Sequence, residues 1–409
     1  MKNIINRLRY LSINLGVLVI NLFVKRDPNS VLIGAWMGEK FSDNSRYLFQ
    51  FLSDNKEELS LKNVVWVTRN EKIFQELTSK GYQVYMCGTL SSFYWHVKTG
   101  THILCNAIYV LQNGRFQPDI QTCLSYGAKR VQLWHGVGLK AIGTASNKSK
   151  LGKLEFNPKR FSFLRIITTP GGWFDYSFLT TSPKYLEANF QMSFCNKDKM
   201  FISCYPRNCE CLWLLNRETE IIDQISEYKT KIIYLPTFRS DYSNYRHPLE
   251  DPNLIAYIEQ NDILWIEKQH SASDFTINDV NSKNIFSLDD NFDVNVIYDF
   301  VDIVISDYSS AAFDAIYKDI PMIMYTPDLE DFKNGDVGFV YDINYYCNPF
   351  IVYNLNDLIS SIDRIYSGYY FNDQTSDAIQ LIKSDFFENR ESDYNQFWED
   401  FQYTMKKEW

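Results

Sequence analysis

The chain has 409 residues, of which 45% are apolar, 16% aromatic and 22% charged, enough burial drive for two domains of ordinary size and too much for a mainly disordered chain. Forty-one Lys and Arg against 50 Asp and Glu give a net charge of −9, so no global basic field marks a nucleic-acid binder. No run of about 20 apolar residues exists, which argues against a polytopic membrane protein. The eight cysteines are few for this length and several sit in apolar runs, as expected of reduced thiols in a cytoplasmic protein. The one cluster, Cys204, Cys209 and Cys211, matches no zinc spacing, and the sequence implies no metal.

Residues 1–26 carry Lys2, Arg7, Arg9, Lys25 and Arg26 and no acid, around an apolar stretch from Tyr10 to Val24. Fifteen residues at 1.5 Å each span about 22 Å, short of the roughly 30 Å hydrocarbon core. Lys25-Arg26-Asp27-Pro28 stands where a cleaved signal would have small residues. Arg7, Asn14 and Asn21 recur every seven residues on one helical face, with apolar residues around the rest. That pattern predicts a helix lying in a membrane interface, with a helix packed on the body of the protein as the plainer reading. A second cationic zone, 126–160, has eight basic residues against Glu155 and suits an anionic small substrate or a lipid headgroup.

After Pro28, short β-branched runs alternate with helical patterns. The predicted strands are 30–37, 63–68, 82–87, 102–106, 130–135 and 200–204, with helices at 45–58 and 71–80 between them. A polar, helical stretch at 215–229 precedes a second series at 231–237, 263–269, 284–288, 302–307 and 321–327, and the tail from 373 reads as helices. Such alternation predicts an α/β protein with two parallel sheets, that is, two Rossmann-like halves facing a cleft. Ligands of open α/β sheets bind at the carboxyl ends of the strands, so the chemistry is expected there.

Four motifs fall at such ends. In Leu133-Trp134-His135-Gly136-Val137-Gly138-Leu139-Lys140, the histidine suits a general base, and the glycines allow close backbone approach. Gly143 comes too late to complete a dinucleotide fingerprint. Thr237-Phe238-Arg239 offers a guanidinium fork for phosphate. Lys268 and His270 share one side of an extended segment. Ser306-Asp307-Tyr308-Ser309-Ser310 opens a helix, where serines serve either as an anion site or as plain N-caps.

LWHGVGLKAIG, YLPTFRSD, the Lys268-x-His270 pair and SDYSSAAFDAIYKDIPMIMY together resemble the motif series of the CDP-glycerol glycerophosphotransferase family, which builds teichoic acids and related cell-wall and capsule polymers. GEKFSDNSRYLFQFL at 38–52 and Tyr205-Pro206-Arg207-Asn208 extend the likeness over residues 30–330. Two departures stand out. Cys204 and Cys209 occupy the places of a usual Gly and Asp, and Val137-Gly138 follows His135-Gly136 where Thr-Pro is usual.

The resemblance implies a GT-B-like fold; laid on the first segment and the two strand series, it divides the chain into a membrane-interface helix (1–28), an acceptor domain (29–220), a donor domain (221–375) and C-terminal helices (376–409). It implies a CDP-polyol donor, most simply CDP-glycerol, and transfer of glycerol phosphate to a hydroxyl of a lipid-linked or polymeric glycan, with release of CMP and no cofactor. His135, His270 and Asp307 would be catalytic, with His135 the base. Gly136, Thr237, Arg239, Lys268, Ser309 and Ser310 would line the donor phosphates. The enzyme is expected at the cytoplasmic face of the bacterial plasma membrane, touching anionic lipid peripherally and binding no nucleic acid. The rival readings are a CDP-ribitol enzyme, a GT-B nucleotide-sugar glycosyltransferase and a non-catalytic scaffold.

Overall fold

The computed structural model describes residues 2–106, 111–112, 115–116, 118–141, 176–182, 184, 200–237, 245–268, 282–335, 337–388 and 390–407. Two all-parallel sheets carry the described chain. The first has seven strands: β1 (Asp27–Ile33), β2 (Asn63–Thr68), β3 (Val84–Met86), β4 (Thr99–Leu104), β7 (Lys129–Gln132), β8 (Ser177–Thr180) and β9 (Met200–Ile202), in the order β3-β2-β1-β4-β7-β8-β9. A small antiparallel hairpin, β5 (Leu111–Gln112) and β6 (Arg115–Phe116), lies outside it. The second sheet has six strands: β10 (Thr230–Leu235), β11 (Ile263–Glu267), β12 (Ile285–Ser287), β13 (Ile303–Ser306), β14 (Met322–Tyr325) and β15 (Ile351–Val352), in the order β12-β11-β10-β13-β14-β15.

The register explains the unbroken apolar runs. Val31 of β1 faces Val64 of β2 and Thr101 of β4, while Ile232 of β10 faces Trp265 of β11 and Ile303 of β13. Each central strand is therefore covered on both faces, and β2, β11 and β13 are buried almost end to end. In both halves the first strand has its successor on one side and the strand after the switch on the other. Such reversals open a crevice beyond the strand ends, between β1 and β4 and between β10 and β13. The expected two Rossmann-like halves are thus present. Four of the described strands lie outside the predicted runs: β5, β6 and β15 are only two residues long, and β8, Ser177–Thr180, is too short for alternation to register.

The last helix, Tyr394–Lys407, returns to the first sheet. Phe397 and Phe401 pack on Phe201 of β9, Ser203 Oγ donates to Asp400 at 2.6 Å, and Lys129 Nζ donates to the Met405 carbonyl at 2.8 Å. The halves are also fastened by buried charge. Arg46 on helix Asp43–Asp54 makes a forked pair with Glu218, at 2.5 and 2.7 Å, and lies 3.6 Å from Asp293 of the second half.

The first helix, Lys2–Phe23, lies on the body through Ile13, Val17, Ile20 and Val24, which meet Val97, Leu124, Cys123 and Tyr126. Asn14 is buried there and Asn21 donates to the Tyr126 carbonyl, so these polar side chains turn inward. Arg26, just beyond, donates to the carbonyls of His96, Thr99, Leu124 and Tyr126 and fixes the exit. Leu8, Leu15, Leu18, Val19, Leu22 and Phe23 are left facing solvent. No helix among the described residues is long and apolar enough to cross a membrane.

Candidate active site

β7 ends at Gln132, and the chain turns sharply across the crevice. Trp134 adopts φ +60°, held by its amide donating to Gln132 Oε1 at 2.9 Å and by Asn44 Nδ2 donating to its carbonyl at 2.9 Å. Such a conformation is costly for an aromatic residue and persists where surroundings over-determine it. Of eight non-glycine residues with positive φ among the described residues, four surround this turn: Trp36, Met37, Asp43 and Trp134.

The turn presents His135, half-buried between Trp134 and Trp36, whose rings lie 4.3 and 5.7 Å from the imidazole. Nδ1 lies 3.0 Å from the Cys105 carbonyl at the end of β4. A carbonyl only accepts, so Nδ1 carries the proton and Nε2 keeps its lone pair. Nε2 has no hydrogen-bond partner among the described residues. Burial pushes the imidazole pKa below its ordinary value; Asp43 and the Cys105 carbonyl oppose that, and Arg207 and Lys140 add to it. The Cys105 segment is itself fixed by Asp119, whose carboxylate accepts from the amides of Met37, Cys105 and Asn106.

Beyond His135 the chain runs onto the second half. Gly136 has φ +138°, and a Cβ built on it would stand 2.8 Å from Ser310 Oγ. Gly138 passes 3.6 Å from Ser310 Cα measured the same way. Then Val340 N donates to the Leu139 carbonyl at 2.9 Å, and Ala141 N donates to the Gly338 carbonyl at 3.0 Å. The loop from the first sheet is thereby stitched to the start of helix Ser310–Tyr317 and to the 338–340 segment.

On the second half, Asp307 is fully buried at the end of β13. Both its oxygens accept from the Thr237 amide, at 2.9 and 3.0 Å, and one also accepts from Tyr308 N at 2.6 Å. Asp307 thus pins the end of β10, with Thr237, beside the helix start. Ser309 is the N-cap, its hydroxyl accepting from Ala311 N at 3.3 Å, and Ser310 opens the helix against Gly136. Lys268, half-buried after β11, donates to the Phe292 carbonyl, and burial with Lys40 nearby lowers its pKa to about 8. Lys40 reaches from the first half to the Asp290 carbonyl. The structure therefore sets Gly136, the residue after His135, against Ser310, with Ser309 beside it and Asp307 tying Thr237 to the same strand end. Arg239 and His270 lie outside the described residues.

Several contributors carry no signal that spacing reveals. Cys105 acts through its carbonyl, and Asp119 acts through backbone amides. Asp43, Asn44, Arg207 and Asp314 do sit inside the matched segments 38–52, 205–208 and SDYSSAAFDAIY, but nothing in those letters says that they meet.

The model of CDP-glycerol:poly(glycerophosphate) glycerophosphotransferases matches residues 17–394. The chain is 25% identical over 338 residues to a teichoic acid poly(glycerol phosphate) polymerase of Bacillus spizizenii, covering 79% of this chain and 80% of that protein. It is 24% identical to a teichoic acid glycerol-phosphate transferase of Staphylococcus aureus, covering 83% and 84%. The solved wall teichoic acid polymerase TagF superposes with a TM-score of 0.67 at 17% identity, over 100% of this chain and 98% of that one, so the two share the GT-B-like fold. The chain belongs to the CDP-glycerol:poly(glycerophosphate) glycerophosphotransferase family and is an enzyme of that phosphotransferase class.

Proposed function

We propose that this enzyme moves glycerol phosphate from CDP-glycerol to a hydroxyl of a teichoic-acid-like glycan, with His135 as the base. The acceptor hydroxyl gives its proton to His135 Nε2 while its oxygen attacks the β-phosphorus. The new O–P bond forms as the bridging P–O bond breaks, leaving a phosphodiester and CMP. One observation carries this reading: an imidazole with a fixed tautomer and an available lone pair stands beside Gly136, which touches the N-terminus of helix Ser310–Tyr317 in the other half. A helix start with Ser309 and Ser310 favours a diphosphate through the serine hydroxyls and the positive end of its dipole. Transfer of this kind depends chiefly on positioning and charge neutralisation, which Lys268 and, by motif, Arg239 and His270 would complete. Asp307 contributes by holding Thr237 in place rather than by exchanging protons, since its oxygens already accept backbone amides.

The same reading puts the enzyme against the inner leaflet, where a lipid-linked acceptor resides. Its support is the first helix, which turns asparagines inward and leucines outward, the reverse of a helix designed for water. Leu22 and Phe23 are 75% and 83% exposed, and Leu90, on the helix Leu90–Lys98 that it touches, is 88% exposed. A segment bearing only cations surrounds this apolar face, as anionic lipid would require.

Incubating folded protein with CDP-glycerol, CDP-ribitol and nucleotide sugars in turn, and identifying the nucleotide released, tests the assignment. CMP from CDP-glycerol, abolished by His135→Ala, is the expected result. A nucleoside diphosphate from a sugar donor would instead establish the glycosyltransferase reading.

A further inference from the structure

We propose that Arg207 is a positioning residue that sets the distance between the His135 base and the phosphate-binding helix start, by holding the acceptor-side turn and helix Ser310–Tyr317 in one buried charge cluster. The inference rests on the assignment of His135 as base.

Arg207 is 4% exposed and stands on the short 3-10 turn Pro206–Asn208. One guanidinium nitrogen donates to Asp43 at 3.0 Å and to the His135 carbonyl at 2.8 Å. The other forks onto both oxygens of Asp314, at 2.9 and 2.6 Å. Its backbone amide donates to Asn44 Oδ1 at 3.1 Å, and Asn44 holds the Leu133 and Trp134 carbonyls in turn. Asp43 also accepts from the Trp36 indole at 3.3 Å, and its amide donates to Asp293 of the second half. A Cβ on Gly136 would come within 2.9 Å of the same guanidinium.

One planar cation therefore touches the His135 residue itself, the start of helix Asp43–Asp54, and the helix whose first residue lies against Gly136. Asp314 lies one turn along from Ser310, so fixing it fixes the helix start. A guanidinium offers five donors in one rigid plane, enough to fork onto Asp314 while reaching Asp43 and the His135 carbonyl; an ammonium has three donors in a tetrahedral array and cannot reproduce that fork. A lysine here is expected to keep the charge and lose the geometry. Displacing a reacting group by about 1 Å costs roughly 100-fold in rate.

The test is steady-state kinetics of Arg207→Lys, Arg207→Gln, Asp314→Asn and His135→Ala with CDP-glycerol, each first checked for native circular dichroism and a cooperative melt. Arg207→Lys and Asp314→Asn are expected to lower kcat by roughly 30- to 300-fold with KM for the donor within about threefold of wild type. In Arg207→Gln the acid limb of kcat/KM should move to higher pH, because a cation facing His135 is gone while Asp43 remains and Lys140 still opposes it. A merely structural arginine would lower the melting temperature and leave kcat per folded molecule and the acid limb unchanged, which would overturn the proposal. Should the Arg207 variants not accumulate folded, Asp314→Asn, which removes charge at constant shape, decides by the same criteria. An active His135→Ala would sink the base assignment; an inactive one alongside fully active Arg207→Lys and Asp314→Asn would sink the positioning role alone.

Discussion

Gly136 and Ser310 meet across the boundary between the two sheets so closely that a methyl group on the first would stand 2.8 Å from the hydroxyl of the second. With φ at +138°, position 136 also lies where L side chains carry strain. Gly136→Ala should therefore cost about 1–3 kcal/mol in stability and drive the two halves apart at the point where acceptor and donor must meet. We expect a lower melting temperature together with at least a tenfold fall in CMP release. Gly138→Ala is the control: its Cβ would be in ordinary contact with Ser310, at 3.6 Å, and activity should stay near wild type. Equal effects of the two substitutions would show that the contact at 136 has no special place in the reaction.

The dependence of rate on pH should have two limbs from two residues. His135 must be neutral to accept a proton, and burial lowers its pKa, so the acid limb should fall below the usual histidine value of about 6.5. Lys268, with its pKa lowered to about 8, is charged below that pH and loses its attraction for phosphate above it. The plot of kcat/KM against pH should thus decline above about pH 8. Lys268→Arg, always charged, should abolish the alkaline decline, and a profile unchanged by that substitution would remove Lys268 from donor binding.

How much of this could be read beforehand depends on what each residue does. The sheets were legible because runs such as NVVWVT and DIVISD are buried on both faces and follow one another at βαβ spacing. His135 and Ser310 were legible because they end a strand and begin a helix. What spacing cannot express is a partner met through the backbone. Asp119 looks like any loop acid until its three amides are seen, and Arg207 lies 107 residues from Asp314. Periodicity alone marks the asparagines of the first helix as its polar face; in the structure they are the inward face, because Tyr126 and the body of the protein supply their surroundings there. A helical wheel gives periodicity but not which side the rest of the chain will occupy.

Acid should also unfold the protein through histidines unrelated to the reaction. His96 and His102 are fully buried; desolvation lowers the first to a pKa of about 4 and the second well below its usual value. Both are therefore neutral in the fold and charged in the unfolded chain once the pH drops below about 6.5. Stability from this source is complete above pH 6.5 and declines as the pH falls towards 4, by roughly 3 kcal/mol for His96 alone. Urea melts at pH 7.5, 6 and 5 should show the loss, and His96→Gln should flatten it. An unchanged slope in that variant would assign the acid sensitivity elsewhere.

Membrane docking gives the last prediction, because it separates apolar from ionic attraction. The exposed row Leu15, Leu18, Leu22 and Phe23 should supply most of the affinity, and the neighbouring cations should bias it towards anionic lipid. Replacing Leu18, Leu22 and Phe23 together by serine should reduce sedimentation with phosphatidylglycerol-containing vesicles by at least tenfold. These side chains point away from Val17, Val97 and Leu124, so the fold and CMP release with a soluble acceptor should persist. Raising salt from 0.05 to 0.5 M should weaken binding of the wild type only in part, since screening acts on the charges and not on the leucines. Vesicle binding that vanishes entirely in salt would assign the attraction to cations alone, and binding unaffected by the triple substitution would remove the first helix from the docking surface.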